Sequence, residues 1–171
     1  MSEKVNSVES VVAMSVFQGD RLEWVKEAVE SILSQSYTNY LLMIHQDGPV
    51  PEAMETYLKS LCENNKQVKL IVSVQNIGLG AALNKIISLA EQFNPKYIIR
   101  MDSDDVCFPD RFIKQVHFLD NNADIDILGS SLLEIDEKRK KCWASCYART
   151  SQLINESASK ALSVKPSYRC Y

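Results

Sequence analysis

Four short and mostly apolar segments constrain the fold of this 171-residue chain more than any other feature of its sequence. They lie at residues 11–17, 40–44, 68–74 and 97–101, and each has the length of a β-strand. The segments between them place apolar residues at the spacing of amphipathic helices. Apolar strands that alternate with such helices are typical of a sheet covered on both faces. We therefore predict an α/β fold with a mainly parallel sheet and helices on both faces.

Weaker signals predict one helix boundary and two more strands. Glu23 follows Asp20 by three residues, which resembles a capping box and predicts that Asp20 caps the first helix. Apolar residues at 125–128 and 132–135 predict two more strands after the last helix.

The charge is unevenly distributed along the chain. Residues 137–171 carry eight basic and two acidic side chains, whereas residues 1–136 carry 11 basic and 20 acidic ones. The apolar pattern also weakens after Ile135. We therefore predict a folded acidic domain at residues 1–136 and a basic, poorly ordered extension at residues 137–171. A solvated tail is the common origin of such an extension, and contact with an anionic membrane surface is the alternative.

The composition excludes several classes of protein. A net charge of −3 gives no indication of a nucleic-acid partner. No apolar run approaches the roughly 20 residues of a membrane span, and the polar start of the chain does not resemble a signal peptide. The five cysteines are scattered, which is typical of reduced thiols. We therefore predict a cytoplasmic protein.

An acidic cluster follows the fourth apolar segment and is the strongest candidate for a functional site. Asp102, Asp104 and Asp105 lie within four positions, and like charges this close repel each other unless a cation lies between them. Side chains two residues apart point the same way, so Asp102 and Asp104 can converge on one ligand. Carboxylate oxygens suit Mn²⁺ or Mg²⁺. A solvated turn that caps the next helix is the alternative.

The position of this cluster favours the metal site. Breaks in the apolar pattern at 17–20, 46–49 and 102–105 each follow a predicted strand. In open parallel sheets, ligands bind beyond the carboxyl ends of the strands, where these three loops would meet.

Other candidates have simpler explanations. His45 and His117 are isolated, which is more typical of structural histidines than of metal ligands. Cys142 and Cys146 have no second ligand pair nearby, so zinc is not predicted. Residues 76–80 contain two glycines without a following lysine, which favours a turn entering a helix over a phosphate-binding loop.

The order and spacing of eight short segments resembles the nucleotide-binding half of a family 2 glycosyltransferase of the GT-A type, as found in bacterial surface-polysaccharide synthesis. The match covers about residues 11–136 and comprises residues 14–20, 31–37, 46–49, 76–79, 82–84, 100–105, 109–112 and 126–130. This resemblance implies a UDP-sugar donor, Mn²⁺ or Mg²⁺, and inverting transfer to a saccharide or lipid-linked acceptor in synthesis of O-antigen or capsule type.

The resemblance also implies roles for individual residues. Asp102 and Asp104 fall on the DxD motif of the family, so that Asp104 binds the metal and Asp102 contacts the metal or the ribose. Asp47 falls where the family holds the uracil or ribose. The edge formed by Ser15, Val16 and Phe17 would line the base pocket, and the remaining predicted donor-binding residues are Asn76, Gly78 and Ser103.

The chain departs from the family pattern in two ways. Gln18 replaces the usual asparagine, and Gln46 stands where the first of two aspartates is common. The resemblance also implies a further segment after Asp136 with the acceptor site and the catalytic base, but Glu156 is the only carboxylate after Glu137 and fits no motif. We therefore name no base and expect a truncated chain that binds the donor with little transfer. A non-catalytic nucleotide- and metal-binding fragment is the alternative function.

Overall fold

A computed structural model describes residues 8–130 of the chain, together with the backbone of residues 132–135 and 141–145. The regular elements, in chain order, are β1 (Ser10–Val16), α1 (Leu22–Leu33), β2 (Tyr40–Gln46), α2 (Glu52–Asn64), β3 (Val68–Val72), α3 (Leu79–Ala90), β4 (Tyr97–Arg100), α4 (Arg111–Asp120), β5 (Leu132–Ile135) and β6 (Lys141–Ser145). A short 3₁₀ helix, Glu91–Phe93, follows α3 directly.

The first four strands form one parallel sheet in the order β3-β2-β1-β4. The chain moves from β1 outward to β3 and then returns to the other side of β1 to form β4. This reversal is a topological switch point between β1 and β4. In open α/β sheets a crevice forms at such a point, beyond the carboxyl ends of the two strands. The site is therefore expected where Val16 and Arg100 end their strands.

Helices cover both faces of the sheet. On one face, α1, α2 and α4 pack against the strands through Ile32, Leu58 and Phe112, among others. On the opposite face, α3 packs against β1 and β2 through Leu83, Ile86 and Ala90. β1 and β2 are apolar on both sides because helices cover both of their faces. The edge strands are less covered, and Val72 in β3 and Ile98 in β4 are exposed. The predicted α/β class, with a mainly parallel sheet between two layers of helices, is confirmed.

The helices are short and amphipathic. In α1 the buried residues are Val25, Ala28, Val29 and Ile32, which lie on one face at helical spacing. Trp24 and Leu33, predicted on the same face, lie at its margin and are only half-buried. Within the described part of the chain, no helix is long and apolar enough to span a bilayer.

The two strands predicted after α4 have different outcomes. Residues 132–135 form β5, which pairs antiparallel with β6 in a separate two-stranded sheet. Residues 125–128 form no strand, so this prediction is wrong. Ile127 is 64% exposed, and the segment has no ladder partner among the described residues. Apolar composition alone does not satisfy the backbone hydrogen bonds that define a strand. β6 lies inside the predicted basic extension, and the proposed boundary at residue 136 stays a prediction.

We predict that Phe112→Ala lowers the free energy of unfolding by about 3–5 kcal/mol, because it leaves a cavity in the core. The Phe112 ring is fully buried and lies 5.7 Å from the Tyr40 ring in an edge-to-face arrangement. Urea denaturation followed by circular dichroism measures the change. Ile113→Ala, at the exposed neighbouring position of α4, should cost less than about 1 kcal/mol. Equal losses in the two variants would contradict this packing.

Candidate functional site

A single carboxylate oxygen joins the two loops that flank the switch point. Oδ2 of Asp20, in the loop after β1, accepts a hydrogen bond from the backbone N–H of Phe17 at 3.0 Å. The same oxygen accepts a second bond from the hydroxyl of Ser103, in the loop after β4, at 2.9 Å. The sequence predicts that Asp20 caps α1, and this prediction is wrong. Arg21 occupies that position without a side-chain cap, because the Asp20 carboxylate is directed towards the switch point.

The carboxyl group of Asp20 also interacts electrostatically with the predicted metal-binding residues Asp102 and Asp104. Burial raises the pKa of its carboxyl group, while the hydrogen bonds from Phe17 and Ser103 lower it. The negative charges of Asp104 and Asp102 raise the pKa further. Three carboxylates thus place repelling charge at the carboxyl end of β4. Asp20 is absent from the site residues predicted from the sequence, because its spacing to Glu23 suggested a helix cap. Its place just after an apolar strand was the available signal.

Asp102 is paired with a positive charge from its own strand. Nη2 of Arg100 lies 2.6 Å from Oδ1 and 3.0 Å from Oδ2 of Asp102. The two side chains are 24% and 34% exposed, so the pair is partly shielded from water. Nε of Arg100 is buried and has no hydrogen-bond acceptor among the described residues. Arg100 lies in the matched segment at residues 100–105, but the sequence predicts no role for it.

A buried polar network from α1 fixes the loop that carries the acidic cluster. Nε2 of Gln35 donates to the carbonyl of Phe108 at 2.7 Å, and Oε1 accepts from the backbone N–H of Phe112 at 3.1 Å. The hydroxyl of Ser31 accepts from the backbone N–H of Cys107 at 3.1 Å. Burial raises the pKa of the Cys107 thiol, which therefore stays protonated as a structural group. These contacts explain why the matched segment at residues 31–37 accompanies the acidic cluster.

Arg111 supports the same loop from the start of α4. Its Nη2 donates to the carbonyl of Arg100 at 3.2 Å, and its Nη1 contacts the sulfur of Met101 at 3.1 Å. Both contacts fix the last residues of β4 just before Asp102. The backbone that presents the acidic cluster is thus held from α1 and from α4.

Asp47 uses both carboxylate oxygens to organise the start of α3. Oδ1 accepts from the backbone N–H of Ile77 at 2.7 Å, and Oδ2 accepts from that of Gly78 at 3.0 Å. Gly78 is the N-cap residue of α3 and has no side chain to offer, so a residue at the end of β2 supplies the acceptors. Asp47 is only 3% exposed. Its evident role is structural, and its predicted contact with uracil or ribose stays a prediction.

Two other predicted donor-binding residues, Asn76 and Gly78, lie in the same turn. Nδ2 of Asn76 donates to the carbonyl of Asp47 at 3.3 Å, and its Oδ1 accepts from the N–H of Gly78 at 3.1 Å. The turn packs closely on Gly48, where φ is +86° and a Cβ atom would lie 2.6 Å from the nitrogen of Asn76. The structure therefore brings Asp47, Asn76 and Gly78 together beside the end of β2.

The predicted base-pocket residues end β1 at the crevice. The side chain of Val16 is fully buried in the core, whereas Ser15 is half-buried and Phe17 is exposed. Val16 pairs in register with Gln46 at the end of β2. Nε2 of Gln46 donates to the carbonyl of Gly48 at 3.2 Å, and its buried Oε1 has no donor among the described residues. Only part of the predicted edge can therefore face a ligand through its side chains.

The residues present fit a metal that is shared with a ligand. Within the described part of the chain, no group of three or more His, Cys, Asp or Glu side chains is placed to hold a metal ion. Asp102 and Asp104 would supply two carboxylates. Mg²⁺ commonly binds through one or two carboxylates and completes its shell with substrate phosphates and water. The negative charges of Asp104 and Asp102, which raise the pKa of Asp20, are of the kind that a cation offsets.

Neither histidine lies in a metal-binding arrangement among the described residues. His45 is fully buried, and its Nε2 lies 2.9 Å from the hydroxyl of Ser73. Burial lowers the pKa of His45, which favours the neutral ring. His117 is exposed on α4. Cys146 and Glu156 lie outside the described residues, and of Cys142 only the backbone is described.

The fold and the acidic loop at its switch point define a domain of the GT-A glycosyltransferase type. The sequence model of the family described as "Glycosyl transferase family 2" matches residues 11–167. The chain therefore belongs to glycosyl transferase family 2. The matched region extends past residue 136, where the motif resemblance ends, into the basic segment.

Curated relatives support this assignment. An uncharacterized glycosyltransferase of Methanocaldococcus jannaschii is 35% identical over 115 residues, which cover 67% of this chain and 39% of the relative. The putative glycosyltransferase EpsE of Bacillus subtilis is 34% identical over 126 residues, covering 74% and 44%. The amylovoran biosynthesis glycosyltransferase AmsE of Erwinia amylovora is 28% identical over 130 residues, covering 76% and 47%. The chain spans less than half the length of these relatives.

Solved structures share the fold at low sequence identity. The solved chain TarS 1–349 of S. aureus superposes with a TM-score of 0.58 at 16% identity, covering 75% of this chain and 36% of that chain. The mannosyltransferase PcManGT from Pyrobaculum calidifontis, solved with GDP-Man and Mn²⁺, gives a TM-score of 0.55 at 13% identity, covering 77% and 36%. At this identity the likeness shows the fold alone.

We predict that Asp47→Ala lowers the free energy of unfolding by about 1–3 kcal/mol in the absence of any ligand. Two backbone N–H groups at the start of α3 lose their acceptor in this variant. Thermal and urea denaturation measure the loss, with Asp124→Ala as the exposed-aspartate control. If both variants unfold alike, the carboxylate does not anchor this turn, and the role at the nucleotide becomes the better explanation of Asp47.

Proposed function

We propose that this chain is the donor-binding part of a glycosyltransferase that moves a sugar from a UDP-sugar to a saccharide or lipid-linked acceptor in polysaccharide synthesis. The observation that carries the proposal is the position of Asp102 and Asp104 at the carboxyl end of β4, beside Asp20 and the switch point. Family membership supports glycosyl transfer. The name of the relative AmsE supports a role in polysaccharide synthesis.

The nucleotide base is the least constrained part of this proposal. TarS was solved in complexes with UDP and with UDP-GlcNAc, which supports a uridine nucleotide. PcManGT was solved with GDP-Man, so the shared fold is compatible with a guanosine nucleotide in that protein. The exposed ring of Phe17 and the buried oxygen of Gln46 lie at the ends of β1 and β2, where a base would meet the sheet.

Asp104 would hold the cation, and Asp102 would share it or contact the ribose. A cation bound there would offset the charge that develops on the leaving diphosphate. Asp20 and Ser103 hold the acidic loop against the loop after β1. Gln35 and Arg111 fix the backbone on either side of it. The chain thus presents its carboxylates on a backbone that is already ordered before the donor arrives.

The described residues support donor binding and give no candidate for the catalytic base. Inverting transfer needs a group that removes the proton of the acceptor hydroxyl. The described carboxylates at the switch point lie on the donor side, next to the predicted cation. The alternative function is therefore a non-catalytic fragment that binds the nucleotide and the metal. An assay of sugar transfer from a radiolabelled donor distinguishes this fragment from an active transferase. The cytoplasmic location and the membrane contact of the basic segment stay predictions.

We predict that Asp104→Ala abolishes metal-dependent binding of UDP. In the unmodified protein, Mn²⁺ and UDP should each raise the affinity for the other, because the cation offsets the charges of both the diphosphate and the carboxylates. Isothermal titration calorimetry with and without Mn²⁺ measures this coupling. Asp124→Ala removes an exposed carboxylate outside the matched segments and should bind UDP as the unmodified protein does. Unchanged UDP affinity in Asp104→Ala would refute the metal assignment.

We predict that the unmodified protein binds UDP more tightly than GDP or ADP in the presence of Mn²⁺. The three nucleotides share the diphosphate, so a difference in affinity reports on the base alone. A preference of about tenfold corresponds to one well-placed hydrogen bond. Competition calorimetry in one buffer measures the three affinities. Tighter GDP would reassign the donor to the guanosine class, and equal affinities would show that the site does not select the base.

A further inference from the structure

We propose that the guanidinium group of Arg100 stays paired with the carboxylate of Asp102 until a divalent cation and a diphosphate bind together. The released guanidinium then pairs with the diphosphate. Arg100 would be a second binding group of the donor site, in addition to the carboxylates. The inference rests on the proposed function, because it assigns a role at the same site.

The contact that motivates the proposal involves both oxygens of Asp102. One guanidinium nitrogen of Arg100 reaches Oδ1 and Oδ2 of that carboxylate, at 2.6 and 3.0 Å. These are the two atoms with which Asp102 would contact a cation. The negative charge of Asp102 is therefore already offset by a positive charge of the protein itself.

A cation and the Arg100 guanidinium would compete for the same two carboxylate oxygens of Asp102. A divalent ion between Asp102 and Asp104 would stand close to the positive charge of Arg100, and like charges at that separation repel. Binding of the cation alone must therefore displace Arg100 or tolerate it nearby. Either outcome lowers the affinity of the free protein for the metal.

A diphosphate removes this conflict because it brings negative charge for both partners. The planar fork of an arginine matches two phosphate oxygens, which it can hold with parallel hydrogen bonds. In its present position Arg100 leaves Nε buried without an acceptor among the described residues, so this conformation does not satisfy all of its donors. Its backbone is held in place through the carbonyl bond from Arg111. Only the side chain has to turn.

The opposing explanation is that Arg100 only orients Asp102 for the metal. The two explanations predict opposite signs for one measurement. If Arg100 competes with the cation, removing its charge strengthens binding of Mn²⁺ alone. If Arg100 orients Asp102, removing it weakens binding of Mn²⁺ alone.

The test measures binding of Mn²⁺ by electron paramagnetic resonance, without nucleotide, and binding of UDP at saturating Mn²⁺ by calorimetry. For Arg100→Gln we expect Mn²⁺ alone to bind roughly two- to fivefold more tightly, the scale of one partly shielded ion pair. We expect UDP with Mn²⁺ to bind about tenfold more weakly, because a charged hydrogen bond to phosphate is lost. A variant that is merely misfolded would weaken both.

Two further variants keep the test decisive. Arg100→Lys retains the charge, so its affinity for Mn²⁺ alone should stay near that of the unmodified protein. Lys96→Gln removes a basic charge at the start of the same strand, where Lys96 pairs with Asp120 at the surface, and should change neither affinity. Weaker or unchanged binding of Mn²⁺ alone in Arg100→Gln overturns the inference. If the unmodified protein binds neither Mn²⁺ nor UDP, the proposed function itself fails.

Discussion

The structure depends on the nearly complete burial of strand β1. β1 has a strand on each edge and helices over each face, so nearly all of its side chains lie in the core. Its hydrophobic burial is the largest stabilising term available to a domain of this size. Because all four strands of the sheet run parallel, their carboxyl ends meet at one edge. The loops that follow the four strands therefore meet at the edge where open α/β sheets bind their ligands.

Long-range hydrogen bonds then determine how those loops sit. Gln35, Asp47 and Asp20 each bond to the backbone or side chain of a loop that is distant in the chain. Each of these polar side chains is at least partly buried, so the loss of a partner would leave an unsatisfied group at a cost of about 1–3 kcal/mol. Such groups specify one arrangement of the edge. They also explain why the segment at residues 31–37, at the end of the first helix and just after it, belongs with the acidic cluster after β4.

Negative charge is concentrated at this edge of the sheet and is partly offset within the protein. The fields of Asp102 and Asp104 contribute to the raised pKa of Asp20, while Arg100 offsets the charge of Asp102. Under the proposed function, this balance would favour a cation that arrives with its phosphate ligand over a free cation.

The sequence by itself determined the layers of the fold and the place of the acidic cluster. Apolar runs predicted β1 to β4 to within two residues at each end, because side-chain periodicity is a local property that burial selects. The pairing of Asp102 with Arg100 and the roles of Asp20 and Asp47 were decided only by the tertiary structure. Asp20 and Ser103 are 83 positions apart, and Asp47 and Ile77 are 30 apart. The failed strand at residues 125–128 has the same origin, since a strand requires a partner whose position no local pattern encodes.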